Sequence, residues 1–215
     1  ALLSQGVRGL EQYQWIVFTS PAGVRIFFEE LAAQRADVRK LGNAKIAAIG
    51  GGTAKELAKH GLFADLVPET YDAAHLGAAL ADACRDGDKI LIPRAAIGSR
   101  ELTEALAKSG KKLQVDDIAT YDTVYETEGL VSVRDELEKG TIDYVVFTSA
   151  STVRGFAKAA DGADLTRVKS VCIGRQTLEA ADALGMQTWM AQKASIDSLI
   201  DRLIEVHQEH TTGTV

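Results

Sequence analysis

The chain carries the same strand-to-helix segment twice. "WIVFTSPAGVRIFF" occupies residues 15–28, and "YVVFTSASTVRGFA" occupies residues 144–157. In each segment a run of β-branched and aromatic residues ends in Phe-Thr-Ser and passes directly into a helical pattern. A second pair, "KIAAIGGGTAKELAKHG" at 45–61 and "KSVCIGRQTLEAADALG" at 169–185, keeps the Lys, the Ile-Gly, the Thr and the final Gly. Two related pairs in the same order indicate that the protein consists of two copies of one domain.

Short apolar strands alternate with amphipathic helices along both copies. The predicted order is strand 15–19, helix 21–35, strand 45–50, helix 53–60, strand 63–68, helix 73–84, strand 89–93, helix 99–109, strand 113–125, strand 144–148, helix 150–160, strand 169–174, helix 176–184, strand 186–191 and helix 195–207. This alternation predicts right-handed βαβ units and a mostly parallel sheet. We therefore expect an α/β fold with a complete first domain at 1–119, an extended linker strand at 120–127 and a second domain at 128–215.

The second copy is shorter than the first. After its third strand the first copy continues through residues 89–123, whereas the second copy ends near the point where that unit would begin. A sheet with three strands would have an uncovered edge and an incomplete core. We therefore expect the strand and helix that complete the second domain to lie before Ala1, with the stretch at 120–127 as one of two crossings between the domains. The tail from residue 207 is expected to fray.

Composition limits the class of partner. The chain has 215 residues, of which 46% are hydrophobic and 25% charged, as in an ordinary globular protein. No apolar run reaches the roughly 18 residues that span a bilayer, and the first residues lack the pattern of a signal peptide. We therefore predict a cytoplasmic protein that does not bind membranes. The net charge of −6 argues against nucleic acid as the main partner but leaves a small anionic ligand open. We expect a monomer.

Cysteine and histidine give no sign of a metal site. Cys84 lies in a helical pattern and Cys172 in an apolar strand, without CxxC spacing, so both are interpreted as reduced core thiols. The four histidines lie in helix or tail patterns and form no cluster with the spacing of metal ligands. We therefore predict no metal.

Hydroxyl side chains recur where the predicted strands end. A parallel α/β sheet binds ligands outside the carboxyl ends of its strands, where the N-termini of helices present unpaired N–H groups. Both Phe-Thr-Ser segments and both Ile-Gly-x-x-Thr segments lie at these ends. Hydroxyls and free amides suit carboxylates or phosphates. Taken singly, Ser20, Ser149, Thr53 and Thr177 are better explained as helix N-caps, and one residue can serve both purposes.

Three further residues are candidates for the site. Arg94 and Arg100 flank the loop after the strand at 89–93 and either meet anions or are solvated. Tyr121 lies in the extended crossing, where its phenol either donates a proton to a ligand or fills space between layers. Periodicity alone favours the packing role. "GGT" at 51–53 is a weak nucleotide signal, because neither G-x-x-x-x-G-K-[ST] nor G-x-G-x-x-G is present.

The ordered set of segments resembles the uroporphyrinogen-III synthase family over nearly the whole chain. The segments are "WIVFTSPAGVRIFFEEL", "KIAAIGGGTAKELAKHGLFADLVPE", "KILIPRAAIGSRELTEALAKSGKKLQVDDIATYDT", "DYVVFTSASTVRGFAK" and "VKSVCIGRQTLEAADALGMQ". The resemblance implies two flavodoxin-like domains joined by a two-stranded β linker, with the first strand and helix belonging to the second domain. It also implies an enzyme of haem biosynthesis that needs no cofactor. Such an enzyme closes hydroxymethylbilane with loss of water and inversion of the last pyrrole, in a cleft between the domains.

The resemblance also assigns roles by position. Tyr121 falls on a linker tyrosine that protonates the departing hydroxyl, which favours its catalytic interpretation. The residues expected to bind substrate are Thr19, Ser20, Thr53, Arg94, Arg100, Ser149, Ala150, Ser151, Gly174, Gln176 and Thr177. The sequence departs from the family pattern at two places where backbone amides would reach carboxylates: Ala95 replaces a frequent Gly, and Arg175-Gln176 replaces small or hydroxyl residues.

Two other functions stay open. A non-catalytic two-domain sensor for a small anionic metabolite would need no proton donor, so Tyr121→Phe would leave it intact. A pair of FMN-binding flavodoxins is less well supported, because the turns lack a dense Ser/Thr/Gly phosphate loop. Trp15 and Trp189 also lie within or beside strands, as core residues do.

Overall fold

In the computed structural model, which describes residues 2–122 and 133–211, the chain divides into two units, Ala1–Thr123 (unit 1) and Val124–Val215 (unit 2). The domain limits expected from the sequence stay predictions. Residues 123–127 of the predicted linker strand and residues 128–132 of the predicted second domain lie outside the described residues.

Unit 1 is built on a parallel sheet of four strands. They are β1 (Trp15–Phe18), β2 (Lys45–Ala48), β3 (Lys89–Ala95) and β4 (Gln114–Tyr121), in the order β2-β1-β3-β4. All four residues of β1 are buried, as are Ile90–Pro93 of β3. Such continuous apolar runs are typical of parallel strands covered on both faces. The strands run in the same direction, so their carboxyl ends lie along one side of the sheet, which we call its carboxyl edge.

Helices cover both faces of this sheet. They are α1 (Leu2–Arg8), α2 (Pro21–Ala33), α3 (Gly51–Ala58), α4 (Ala73–Ala83) and α5 (Glu101–Lys108), with 3-10 turns at Leu10–Gln12 and Val38–Leu41. Side chains of α1, α2 and α3 form one core with Ile16 and Phe18, on what we call the α2 face. Side chains of α4 and α5 form the other core with Trp15 and Val17, on the α5 face. Successive residues of β1 therefore alternate between the two cores, as strand geometry requires.

Unit 2 has a parallel sheet in the order β5-β6-β7 within the described residues. The strands are β5 (Val145–Phe147), β6 (Lys169–Cys172) and β7 (Gln187–Met190), and the helices are α6 (Val133–Lys139), α7 (Ala150–Ala159), α8 (Arg175–Asp182) and α9 (Ile196–Thr211). One core contains Phe147, Val153 and Cys172. A smaller core on the other face contains Val171, Ala191 and Leu199.

The same local backbone recurs where the first two strands of each unit end. Ser20 precedes α2 with φ −163° and ψ 155°, and Ser149 precedes α7 with φ −164° and ψ 158°. The next turn repeats as well: the amide of Ile49 donates to the Phe18 carbonyl at 3.0 Å, and the amide of Ile173 donates to the Phe147 carbonyl at 3.0 Å. The two copies therefore share the turns where their first two strands end.

Several sequence predictions need correction. The stretch 63–68 is not a strand, because it makes a single parallel bridge, between Ala47 and Leu66. The Asp65 carboxylate accepts the Ile46 amide at 2.7 Å in place of a main-chain carbonyl, which ends regular pairing. The predicted fraying from residue 207 is also wrong up to Thr211. There α9 continues, and the His210 ring and the Thr211 hydroxyl bond to carbonyls one turn earlier.

Two helices were not predicted from the sequence. α1 has a glycine in its middle and still packs Leu3 and Val7 into the core. α6 has no buried residue at all. Strand β4 ends at Tyr121, and residues 123–125, which were predicted to extend it, lie outside the described residues. Across residues 2–122 and 133–211, no helix is long and apolar enough to span a bilayer.

Candidate functional site

Tyr121 and Ser20 meet at the carboxyl edge of the unit 1 sheet. The Tyr121 phenol oxygen lies 2.6 Å from the Ser20 hydroxyl oxygen, in a partly buried hydrogen bond between residues 101 positions apart. Ser20 is also the N-cap of α2, and its hydroxyl oxygen accepts the Gly23 amide at 2.9 Å. When Ser20 donates its own proton to the phenol oxygen, the phenol proton is left for a ligand. The pair is therefore suited to proton donation by Tyr121, because a donor aimed at the phenol oxygen stabilises the phenolate that forms.

Thr19 and Thr53 lie in the turns that follow β1 and β2. Thr19 is half-buried directly after β1, and the bond from Ile49 to Phe18 brings the turn after β2 against the turn after β1. Thr53 is buried in the first turn of α3, with 2% of its surface exposed. The N-cap of α3 is Gly50 and that of α8 is Gly174, and neither helix has a side-chain cap. The capping interpretation is therefore wrong for Thr53 and Thr177, and right for Ser20 and Ser149.

Arg94 is engaged with protein groups. Its guanidinium donates from Nε and Nη2 to the two carboxylate oxygens of Asp117 at 2.7 and 2.6 Å, and from Nη1 to the Ser99 carbonyl. Only 12% of its side chain is exposed, and the hydrogen bond to Asp117 raises the pKa of Arg94. Arg100 is exposed in front of α5 and does not cap it with its side chain. Of the two arginines, Arg100 is the one that is exposed to solvent.

The predicted residues of unit 2 lie at the carboxyl edge of its own sheet. Ser149 caps α7 in a capping box with Thr152, and its hydroxyl lies 2.9 Å from the Ser151 hydroxyl. Ala150 is the first residue of α7. Gly174 precedes α8, where Gln176 is exposed and Thr177 is buried in the first turn. Hydroxyls and glycine amides thus recur at the ends of two adjacent strands.

One residue at the unit 1 edge was missed in the sequence. Tyr71 lies over the turn that begins α3, so close that a Cβ atom on Gly50 would be 2.7 Å from the Tyr71 Cγ. The side chain is 45% exposed. Residues 67–72 have no period that would mark Tyr71, and the only sequence signal was the glycine run at 50–52 beside β2.

The buried thiols are unreactive, and the described residues form no metal site. Burial raises the pKa of Cys84 and of Cys172 to about 11, so both are protonated and inert at neutral pH. In the part of the chain that the structure describes, no three His, Cys, Asp or Glu side chains are grouped in a way that would hold a metal ion.

Comparisons with known proteins agree on one family. A family model described as uroporphyrinogen-III synthase HemD matches residues 1–201. The porphyrin biosynthesis protein HemD of Ruminiclostridium josui is 37% identical over 204 residues, which cover 95% of this chain and 40% of that protein. A putative uroporphyrinogen-III synthase of Methanothermobacter thermautotrophicus is 28% identical over 207 residues, covering 94% of this chain and 81% of that protein. The chain therefore spans less than half the length of the first relative and about four fifths of the second.

Solved structures share the fold. A mutant uroporphyrinogen III synthase from the extremely thermophilic bacterium Thermus thermophilus superimposes with a TM-score of 0.64 at 22% identity, over 95% of this chain and 82% of that one. The uroporphyrinogen-III synthetase from Helicobacter pylori gives a TM-score of 0.60 at 17% identity, over 91% of this chain and 84% of that one. At these identities the likeness establishes the parallel α/β fold, and the family model carries the assignment. This chain belongs to the uroporphyrinogen-III synthase family.

Proposed function

We propose that this chain is a uroporphyrinogen-III synthase that converts hydroxymethylbilane to uroporphyrinogen III, with loss of water and inversion of the last pyrrole ring. The observation that carries the proposal is the 2.6 Å hydrogen bond between Tyr121 and Ser20 at a sheet edge where ligands bind in parallel α/β folds. Family membership supports the same reaction.

In the proposed reaction, Tyr121 donates its phenol proton to the hydroxyl oxygen of the hydroxymethyl group. The carbon–oxygen bond breaks, water leaves, and the pyrrole nitrogen supplies the electron pair that stabilises the carbon left behind. The Ser20 hydroxyl donates to the phenolate oxygen during this step. The substituted α-carbon of the last ring then attacks that carbon and forms a spirocyclic intermediate. The older bond from this α-carbon to its methylene bridge breaks, the unsubstituted α-carbon of the same ring bonds to the freed methylene, and the proton lost from that carbon as the ring regains aromaticity returns to Tyr121.

Substrate binding is proposed to rely mainly on neutral donors, with Arg94 and Arg100 adding positive charge beside them. Hydroxymethylbilane has an acetate and a propionate on each of its four pyrroles, whereas the chain has a net charge of −6 and Arg94 is paired with Asp117. Backbone amides in front of the uncapped helices α3 and α8 bind carboxylates directionally. The proposed contacts are Thr19, Ser20, Thr53, Arg94, Arg100, Ser149, Ala150, Ser151, Gly174, Gln176 and Thr177. Their role is to hold the bilane in the conformation that leads to ring inversion.

The domain architecture, the oligomeric state and the cellular location are proposed from the resemblance of the chain to its family. We propose that the domains at 1–119 and 128–215 are flavodoxin-like and joined at 120–127, and that the protein works as a cytoplasmic monomer without nucleic acid. Light scattering of the purified protein measures the oligomeric state directly. A dimer at micromolar concentration would contradict the monomer.

The experiment that tests the function is separation of the uroporphyrin isomers formed from freshly generated hydroxymethylbilane. The protein should give isomer III, whereas a tube without protein should give isomer I. Tyr121→Phe should slow the formation of isomer III about tenfold, below the usual 10²–10⁴-fold effect of a general acid, because the pyrrole nitrogen already favours departure of the hydroxyl.

Tyr13→Phe is the matched control. Tyr13 also donates a phenol hydrogen bond in unit 1, at 2.6 Å, but its acceptor Asp116 lies five residues before the end of β4. This variant should lose stability and still form isomer III at the normal rate per folded molecule. If the unmodified protein gives only isomer I, the enzyme assignment is wrong and an anion-binding protein is the better description.

A further inference from the structure

Strand β4 contains one extra residue immediately before Tyr121. Along most of the β3–β4 pair the register is regular, with Pro93 opposite Ile118 and Arg94 opposite Ala119. The next residue of β3, Ala95, lies opposite Tyr121, so Thr120 has no partner in the register and forms a β-bulge. Bulges of this kind re-aim a side chain and are frequent beside active sites.

The bulge decides which face Tyr121 occupies. Ile118 packs into the core of the α2 face, and Val115 packs against the core of the α5 face. Side chains alternate along a regular strand, so residue 121, three positions after Ile118, would lie on the α5 face. In the structure the Tyr121 phenol instead reaches Ser20 at the start of α2. The extra residue therefore moves the phenol to the α2 face.

Several bonds hold the bulge in place. The Thr120 hydroxyl donates to the Arg94 carbonyl at 3.2 Å, and the Ala96 amide donates to the Tyr121 carbonyl at 2.9 Å. The two bonds from the Arg94 guanidinium to Asp117 tie the same strands together just before the bulge. Hydrogen bonds before and after Thr120 thus hold the bulge within the sheet.

We propose, on the basis of the proposed function, that the register shift at Thr120 sets the face of β4 on which Tyr121 lies and so places its phenol on Ser20 for proton donation. Thr120 itself does not touch the reacting atoms in this proposal. What matters is that β4 has one residue more than β3 between the Pro93–Ile118 pair and the Ala95–Tyr121 pair. Adding one residue to β3 should make the register regular and abolish the effect of Tyr121 on the rate. A change that keeps tyrosine on the α2 face should preserve that effect.

The first test inserts one alanine between Arg94 and Ala95. The inserted residue pairs with Thr120, the register becomes regular, and Tyr121 turns to the α5 face. Formation of isomer III should fall by the same factor as in Tyr121→Phe, about tenfold. Adding Tyr121→Phe to the insertion should cause no further loss, because the phenol is already out of place. Exchanging the two residues in the insertion background, Thr120→Tyr with Tyr121→Thr, should restore the rate.

The second test deletes Thr120, which removes the bulge and leaves tyrosine opposite Ala95 on the α2 face. In this background Tyr121→Phe should lower the rate of isomer III formation by the same factor as in the unmodified protein. The proposal is overturned if Tyr121→Phe still lowers the rate in the insertion background, or if it has no effect in the deletion background. Neither outcome depends on how much stability an insertion or deletion removes, since each compares two variants of one background.

A structural readout separates this inference from the proposed function. A crystal structure of the insertion variant should show the Tyr121 phenol away from Ser20, whatever the protein catalyses. If the unmodified protein forms no isomer III, the proposed function fails, and this structure alone decides whether the bulge orients Tyr121. If the unmodified protein is active and the phenol stays on Ser20 after the insertion, the bulge inference fails and the function stands.

Discussion

Glycine is needed at position 50 because a neighbouring side chain leaves no room for a Cβ atom, and not because of the backbone angles. Its φ of −177° and ψ of −179° are extended values that any residue adopts. The Tyr71 ring, however, lies against it, and an added Cβ would be 2.7 Å from Cγ and 3.0 Å from the Tyr71 Cβ. Gly174, the equivalent residue of unit 2, has similar angles and no described atom within 4 Å of such a Cβ. The two glycines therefore differ only in what surrounds them.

Gly50→Ala should destabilise the protein more than Gly174→Ala. Both variants place alanine at a helix N-cap, so both lose the preference for glycine there. Only Gly50→Ala forces Tyr71 aside, which should cost about 1 kcal/mol, the lower end of overpacking effects, because the half-exposed ring can turn away. The measurement is the free energy of unfolding in urea, and adding Tyr71→Ala to Gly50→Ala should recover the difference. Equal losses for the two glycines would contradict the close contact.

At the scale of single residues the sequence predicted where Ser20 lies but not its contact with Tyr121. Ser20 was expected directly after the first strand and Tyr121 within the extended crossing, and their roles stay predictions. The hydrogen bond between them depends on the bulge at Thr120, which no local pattern marks. Arg94 was expected to meet anions or solvent. Its partner Asp117 lies 23 residues away in an adjacent strand, and only the strand pairing brings the two together.

Strand β4, at the edge of the unit 1 sheet, is joined to β3 by an ion pair with two hydrogen bonds. Arg94 and Asp117 have side chains that are 12% and 32% exposed, so the pair is partly shielded from water. A planar guanidinium matches the two carboxylate oxygens, whereas a lysine ammonium offers a point charge. The ion pair therefore holds the outer strand β4 against β3 and fixes the register of the two strands next to the bulge.

Arg94→Lys should lower the free energy of unfolding by about 1 kcal/mol, because it replaces two aligned charged hydrogen bonds by at most one. The matched control is Arg175→Lys. Arg175 makes an exposed pair with Glu179 within α8, and such surface pairs contribute little. Urea unfolding of both variants measures the difference. A double variant with Asp117→Asn should lose less than the sum of the single changes. Additive losses would show that the two side chains do not act together.

At the scale of elements, burial explains which predictions succeeded. β1, β3 and α2 each bury a continuous run or an apolar stripe, and all three were predicted within a few residues of their limits. α6 was missed because its residues are mostly charged and none is buried. The stretch at 63–68 was wrongly predicted as a strand, because its apolar residues satisfy the pattern while the Asp65 side chain replaces a main-chain partner.

The two units differ in how well their equivalent strands β1 and β5 are covered: β1 is an inner strand of its sheet, whereas β5 stands at the end of the described order β5-β6-β7. Val17 in β1 is 0% exposed, whereas Val146, its counterpart in β5, is 41% exposed. The cores of unit 1 also contain many more buried side chains than those described for unit 2. Apolar burial is the main source of folding free energy. Unit 2 should therefore be the less stable half of the chain.

The two cysteines report on the units separately. Cys84 is 3% exposed in unit 1 and Cys172 is 0% exposed in unit 2, and burial raises both thiol pKa values to about 11. A thiol reagent at about pH 8 should leave the native protein unmodified, since the thiols are both inaccessible and protonated. With increasing urea, Cys172 should be modified before Cys84, as measured by mass spectrometry of the cysteine peptides. Modification of both at one urea concentration would show that the units unfold together.

The repeated serine cap gives the chain an internal reference. The amide of Gly23 donates to Ser20 and the amide of Thr152 donates to Ser149, at 2.9 and 3.2 Å, in turns of nearly identical conformation. Deuterium exchange at these two amides can be followed in one sample, under the same pH, temperature and time. A small molecule that binds at one turn before the other would slow deuterium exchange at one amide, while the other amide would keep its unliganded exchange rate. The ratio of the two rates would therefore reveal the order of binding without a separate control protein.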